Sequence, residues 1–220
     1  MPRGLITLRK AKVVSGLLFF GSLLISLYFW TVVGYWSFIL AGAGILLATF
    51  YTAPPIKLDY RGKGLGEIAI LLAFGPIPVL GAYYVQTAVL SISALLVSIP
   101  IGIMTVTILV DHDMIFFEVY QRAKKFSLGA VLGRSKALSA SLYLTLLSYA
   151  MVASLVVVRV LPLVSLAAPI VSAAILSRKS QTFRQSDEAA PFYVPFTVNA
   201  VLSNWMFSLI LAVTVVIPFH

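Results

Sequence analysis

Long apolar runs and short polar intervals alternate along the chain. A helix needs about 20 predominantly apolar residues to cross a hydrocarbon core of about 30 Å. On that criterion the runs predict seven transmembrane helices, at about 13–33, 36–53, 66–86, 88–110, 135–157, 160–177 and 195–217. Within the third run, Gly75-Pro76-Ile77-Pro78 should kink or break the helix, because each proline removes a backbone donor. A break at that depth has to face protein or a cavity rather than lipid.

The polar intervals are not equivalent. Of the 16 Lys and Arg residues, 15 fall before helix one or after helices two, four and six, and only Arg159 lies on the other side. All seven acidic side chains lie in or at the edge of these same intervals. The positive-inside bias puts the N-terminus and these three loops in the cytoplasm and, with an odd number of spans, the C-terminus outside. The turns near Gly34-Tyr35, Gln86-Thr87 and Val158-Arg159 are too short for an external domain, so residues 1–220 read as one integral-membrane domain.

Composition agrees: 60% hydrophobic and 10% charged residues, with a mean hydropathy of +1.02, exclude a soluble globular domain. The fold class expected is an all-α, polytopic membrane helix bundle in the cell membrane. The net charge of +9 is spread over membrane-proximal loops, carries no nucleic-acid motif and implies no nucleic-acid partner. Zero cysteines exclude disulfides, thiolate metal sites and Cys nucleophiles. No Ser stands with the His and acid that a hydrolytic triad needs, and the spans lack the mid-membrane charges of a transporter.

Two cytoplasmic loops carry the candidate chemistry. The first, Tyr51 to Glu67, cannot continue a helix through Pro54-Pro55, and it sets Lys57, Arg61 and Lys63 among Gly62, Gly64 and Gly66. Flexible glycines allow backbone N–H groups near a phosphate while the cations neutralise it, although a plain cytoplasmic turn would look the same. The second, Asp111 to Gly129, offers Asp111, Asp113 and Glu118 beside Arg122, Lys124 and Lys125. If helix four continues, Asp111 and Asp113 stand about 200° apart, so the three carboxylates do not form one stripe. Hard oxygen ligands near cations suit a Mg²⁺-bridged diphosphate. A solvated helix end with an i,i+4 Glu118–Arg122 pair fits the spacing equally well.

Beyond spacing, the residues carry a likeness. The stretches Tyr51–Lys57, Gly64–Glu67 and Phe74–Gln86 resemble the central segment of the UbiA-type intramembrane prenyltransferases, especially the branch that makes menaquinone precursors. Lys125-Phe126-Ser127-Leu128 and Leu132-Gly133 are similar to the close of that family's second aspartate-rich region, and Pro2–Thr7 to the stretch before its third helix. The resemblance implies a nine-helix bundle with a lateral opening. In it, aspartate-rich loops hold Mg²⁺ and the diphosphate of a polyprenyl donor, and the allylic cation left behind alkylates an aromatic or other lipophilic acceptor. Together with the charge placement in the two loops, this gives Lys57, Arg61, Lys63, Arg122 and Lys125 to the diphosphate, Tyr51 to the substrate, and Asp111, Asp113 and Glu118 to Mg²⁺.

The chain departs from the family pattern in two ways. Asp113 falls at the pattern's Asn, Phe116 and Tyr120 fall where aspartates are expected, and Lys124 falls at a Gly. Seven spans against nine also leave no counterpart for the family's first two helices and first aspartate-rich loop. The rival reading is a non-catalytic isoprenoid- or lipid-binding membrane protein, or an inactive remnant of the family.

The charge asymmetry makes a topological prediction. Reporter tags should place the N-terminus in the cytoplasm and the C-terminus outside; the reverse result would overturn the assignment.

Overall fold

The structure, a computed structural model, describes residues 7–62, 64–183 and 193–216, and every element in them is helical. Helix α1 (Leu8–Val33) and α2 (Trp36–Thr52) form an antiparallel pair, followed by α3 (Leu65–Phe74), α4 (Pro76–Thr87) and α5 (Ile92–Ile115). Two short helices, α6 (Phe117–Arg122) and α7 (Leu128–Leu132), then lead into α8 (Arg134–Val157), α9 (Ala167–Phe183) and α10 (Tyr193–Val216). Taking α3 and α4 as one span, five of the helical segments are long and apolar enough to cross a membrane, and α2 and Leu163–Ser177 are shorter apolar helices. The bundle is therefore the all-α membrane architecture that the apolar runs predict.

The third span breaks where Gly75-Pro76-Ile77-Pro78 predicts. Pro76 and Pro78 sit in the first turn of α4, where backbone N–H groups have no intrahelical partner to lose. The break faces protein: a Cβ on Gly75 would stand 2.7 Å from Ser98 O, and one on Gly102 would stand 2.6 Å from Leu71 O. These two glycines let α3 and α5 approach backbone to backbone.

Helix α5 is the hub. Its buried residues, from Ser98 to Met114, cover most of its circumference. Met104 joins Val152, Leu155, Phe207 and Leu211 in one apolar cluster with α8 and α10, while Val106, Val110 and Met114 join Ala137 and Leu138 in a second. Hydroxyls stitch the bundle where the membrane supplies no water: Tyr149 OH and Ser172 Oγ lie 2.6 Å apart, and Ser172 Oγ and Ser203 Oγ lie 2.5 Å apart, tying α8, α9 and α10 together. Asn204 on α10 donates Nδ2–H to Thr105 Oγ1 on α5 at 3.3 Å, an interhelical hydrogen bond.

Three spans differ at their ends from those predicted, the first of them beginning at Leu8 instead of residue 13. The span placed at 88–110 begins at Ile92, where Ser91 Oγ accepts from Ala94 N–H at 3.2 Å as an N-cap, and runs on to Ile115. The span placed at 160–177 begins as a 3-10 turn, Leu163–Leu166, and continues to Phe183.

The close approach at Gly102 gives a test. Gly102→Val should overpack the α3–α5 contact and cost about 1–3 kcal/mol or more, read as a lowered unfolding midpoint in detergent. An unchanged midpoint would show that the contact tolerates a side chain.

Candidate functional site

The first loop leaves α2 at Thr52 and returns into α3 through a 3-10 turn, Leu58–Tyr60. Gly62 holds φ +70°, and a Cβ there would lie 2.9 Å from Phe126 Cβ. Glycine thus gives the first loop both its left-handed turn and its contact with the second. In the second loop, α5 carries Asp113 past the last apolar turn, α6 follows after a break at Phe116, and Lys124 turns the chain back at φ 51°.

The two loops meet on one side chain. Lys125 Nζ lies 3.0 Å from Asp59 Oδ2 and 3.5 Å from Asp113 Oδ1, and its side chain is 6% exposed. Tyr51 donates its hydroxyl to Asp59 Oδ1 at 3.2 Å, and the Tyr120 ring covers the ammonium with its centroid 3.9 Å away. Close by, Leu128 N–H donates to Glu67 Oε1 at 2.5 Å, a second tie between the loops. Burial alone would lower the Lys125 pKa, but the carboxylates of Asp113 and Asp59 more than offset it and hold the ammonium above the ordinary lysine range. Burial pushes the Tyr120 phenol up as well.

The other residues singled out from sequence divide clearly. Lys57 and Arg122 are exposed, and Lys57 Nζ stands 5.9 Å from the Tyr60 ring centre. Arg61 is exposed but folds back on its own loop, donating from Nε to Ile56 O at 2.7 Å and from Nη2 to Pro55 O at 3.3 Å. Lys63 lies outside the described residues. Asp111 is fully buried on α5, and since the helix runs unbroken to Ile115 it stands about 200° round from Asp113. Glu118, on α6, is not brought to either aspartate; it accepts from Arg134 Nη2 at 2.6 Å.

Asp59 and Glu67 complete the cluster, and the sequence reading did not single them out. Asp59 is flanked by Lys57 and Arg61 and looks like a solvated loop acid, and Glu67 looks like first-turn helix chemistry. The signal available was Gly66: its absent Cβ would lie 3.2 Å from Asp59 Cα, so the glycine run permits burial of the loop as well as flexibility.

The model of the UbiA prenyltransferase family matches residues 1–205 of this chain. The chain belongs to that family. It is 41% identical over 70 residues to a 2-carboxy-1,4-naphthoquinone phytyltransferase of Synechocystis sp., a match covering 32% of this chain and 22% of that protein. It is 34% identical over 90 residues to UbiA prenyltransferase domain-containing protein 1 of Gallus gallus, covering 41% and 26%. To the protein of that name from Dictyostelium discoideum it is 35% identical over 94 residues, covering 43% and 28%. Each match thus spans about a quarter of the relative's length. No solved structure matches the chain.

Membership in the UbiA family gives the local geometry a frame. Lys124 stands where the family resemblance expects Gly, and its φ of 51° is the left-handed conformation that glycine adopts freely. The residues do not fit a magnesium centre built from Asp111, Asp113 and Glu118: among the described residues no three Asp, Glu or His groups gather to hold a metal ion. The space between Asp59 and Asp113 is filled by the Lys125 ammonium.

The raised Lys125 and Tyr120 values set an alkaline window. A folded pKa above the unfolded one gives stability that is complete below about pH 10 and is lost as the pH climbs through the folded value. The unfolding midpoint should stay level between about pH 7 and 10 and fall above that; a fall that begins near pH 8 would contradict the buried ammonium.

Proposed function

We propose that this UbiA family member transfers a polyprenyl group from a polyprenyl diphosphate to an aromatic, naphthoquinone-like or other lipophilic acceptor at the cytoplasmic face of the cell membrane. The observation that carries this reading is the meeting of the two loops in one buried polar cluster, with exposed cations at its rim. Lys57, Arg61 and Arg122 supply the positive charge that a diphosphate needs, and charge-assisted hydrogen bonds from such groups are the strong ones. Lys125 orders the loops that carry them. Transfer breaks the bond from the allylic carbon to the diphosphate oxygen, and the leaving group departs as an anion that these cations stabilise.

The isoprenoid tail belongs among apolar helices. A cavity of about 720 Å³ lies between α4, α5 and α10, lined by Phe74, Val97, Ile101 and Leu211, with Tyr83 and Gln86 as polar contributors. It begins about 15 Å along α5 from Asp111, ten residues at 1.5 Å each, and under this reading it takes the far end of the tail. Magnesium, which the family implies, is left out of the role given to Asp111, Asp113 and Glu118, because those carboxylates do not converge.

A second reading, donor binding without transfer, is favoured by Phe116 and Tyr120, aromatic residues at positions where the resemblance expects carboxylates; their rings stack with centroids 5.9 Å apart. Membranes carrying the chain, given labelled geranylgeranyl diphosphate and lipophilic acceptors, separate the two. Transfer predicts labelled lipid-soluble product, with donor affinity about tenfold weaker in Lys57→Ala or Arg122→Ala. Saturable donor binding with no product would support the second reading, and unchanged affinity in both variants would remove the rim cations from the site.

A further inference from the structure

We propose that Lys125 is the resident cation of the carboxylate cluster joining the two loops: its ammonium holds the position between Asp59 and Asp113 that a divalent ion would need, so the cluster is closed to magnesium. This inference concerns the cluster alone and stands independently of prenyl transfer.

Two carboxylates meet on Lys125, Asp59 from the 3-10 turn and Asp113 from α5, and Glu67 on α3 is tied to the same second loop; each of the three is less than a tenth exposed. Buried together without a counter-charge they would repel one another and suffer the desolvation cost of ions removed from water. A proton or a neighbouring cation relieves that cost, and here Lys125 supplies the cation. Its Nζ contacts one oxygen of Asp59 and one of Asp113, and the Tyr120 ring closes a third side at 3.9 Å. Part of the remaining ligand capacity is directed elsewhere, since Asp59 Oδ1 accepts from Tyr51 and Glu67 Oε1 accepts from the Leu128 backbone, while Glu67 Oε2 and Asp113 Oδ2 are buried without a hydrogen-bond partner.

Magnesium requires near-octahedral oxygen ligation at about 2.0–2.1 Å and gives up its waters reluctantly. An ammonium on a four-carbon stem is a compact point charge with three donors, and it needs no such shell. Because its stem is part of the second loop, the cation also fixes where that loop lies against the first. A freely exchanging ion would leave that geometry dependent on metal concentration.

The test uses Mn²⁺ as the probe, added to the metal-stripped full chain in lipid nanodiscs and followed by electron paramagnetic resonance. The wild type should show no Mn²⁺ binding that depends on Asp59 or Asp113. Lys125→Met, which keeps the stem and removes the charge, should bind Mn²⁺ at least tenfold more tightly than the wild type or regain its fold on adding Mn²⁺, and Asp113→Asn in that background should abolish the gain. Lys125→Arg, still cationic, should bind no Mn²⁺. Wild-type Mn²⁺ binding abolished by Asp113→Asn or Asp59→Asn overturns the proposal, as does a folded Lys125→Met that binds none. Neither result bears on whether labelled donor is transferred, so the two readings fail separately.

Discussion

One buried ammonium organises the charged end of this molecule. Asp59 and Asp113 belong to segments separated by an entire membrane hairpin, and each would be costly to bury alone. Lys125 reaches both, so the charges that make the loops hydrophilic also make them cohere. The helices below are held by different means: apolar packing around α5, two glycines that allow backbone contact, and a chain of hydroxyls between α8, α9 and α10. The boundary between these regimes falls near Val110, where α5 passes from apolar residues to Asp111 and Asp113.

That placement explains how a membrane protein can carry ionisable groups that are completely buried. Asp113 is the end of a helix that the hydrocarbon region stabilises, and it emerges at the level where loops and water meet. Exposed cations can stay at that level, and Lys57 and Arg122 do. In the function proposed, the diphosphate meets these cations and the polyprenyl tail takes the apolar walls further along α4, α5 and α10. The function proposed for this UbiA family member rests on that division of labour along the helices.

The spans, the break at Gly75 and the charged character of the two loops were legible in the sequence, because each follows from a local rule: apolar run length, proline's missing donor, and the placement of charge. Partner choice was not legible. Spacing offered Glu118 to Arg122, and both do lie on α6, but Glu118 turns instead to Arg134 sixteen residues on. Lys125 looked like a phosphate ligand and is instead engaged by two carboxylates, one of them 66 positions away along the chain. Asp59 was hidden by its cationic neighbours. In each case a tertiary contact decided what local pattern could not.

The central claim is that Lys125 and Asp59 act as a coupled pair that fastens the loops together. A double-mutant cycle measures this most directly, with Lys125→Met, Asp59→Asn and the double variant compared by unfolding in the same detergent. A coupling energy of about 1–3 kcal/mol is expected for a buried pair in contact. Additive effects, with coupling indistinguishable from zero, would mean that the two residues are neighbours without being partners, and the joined-loop description would fail.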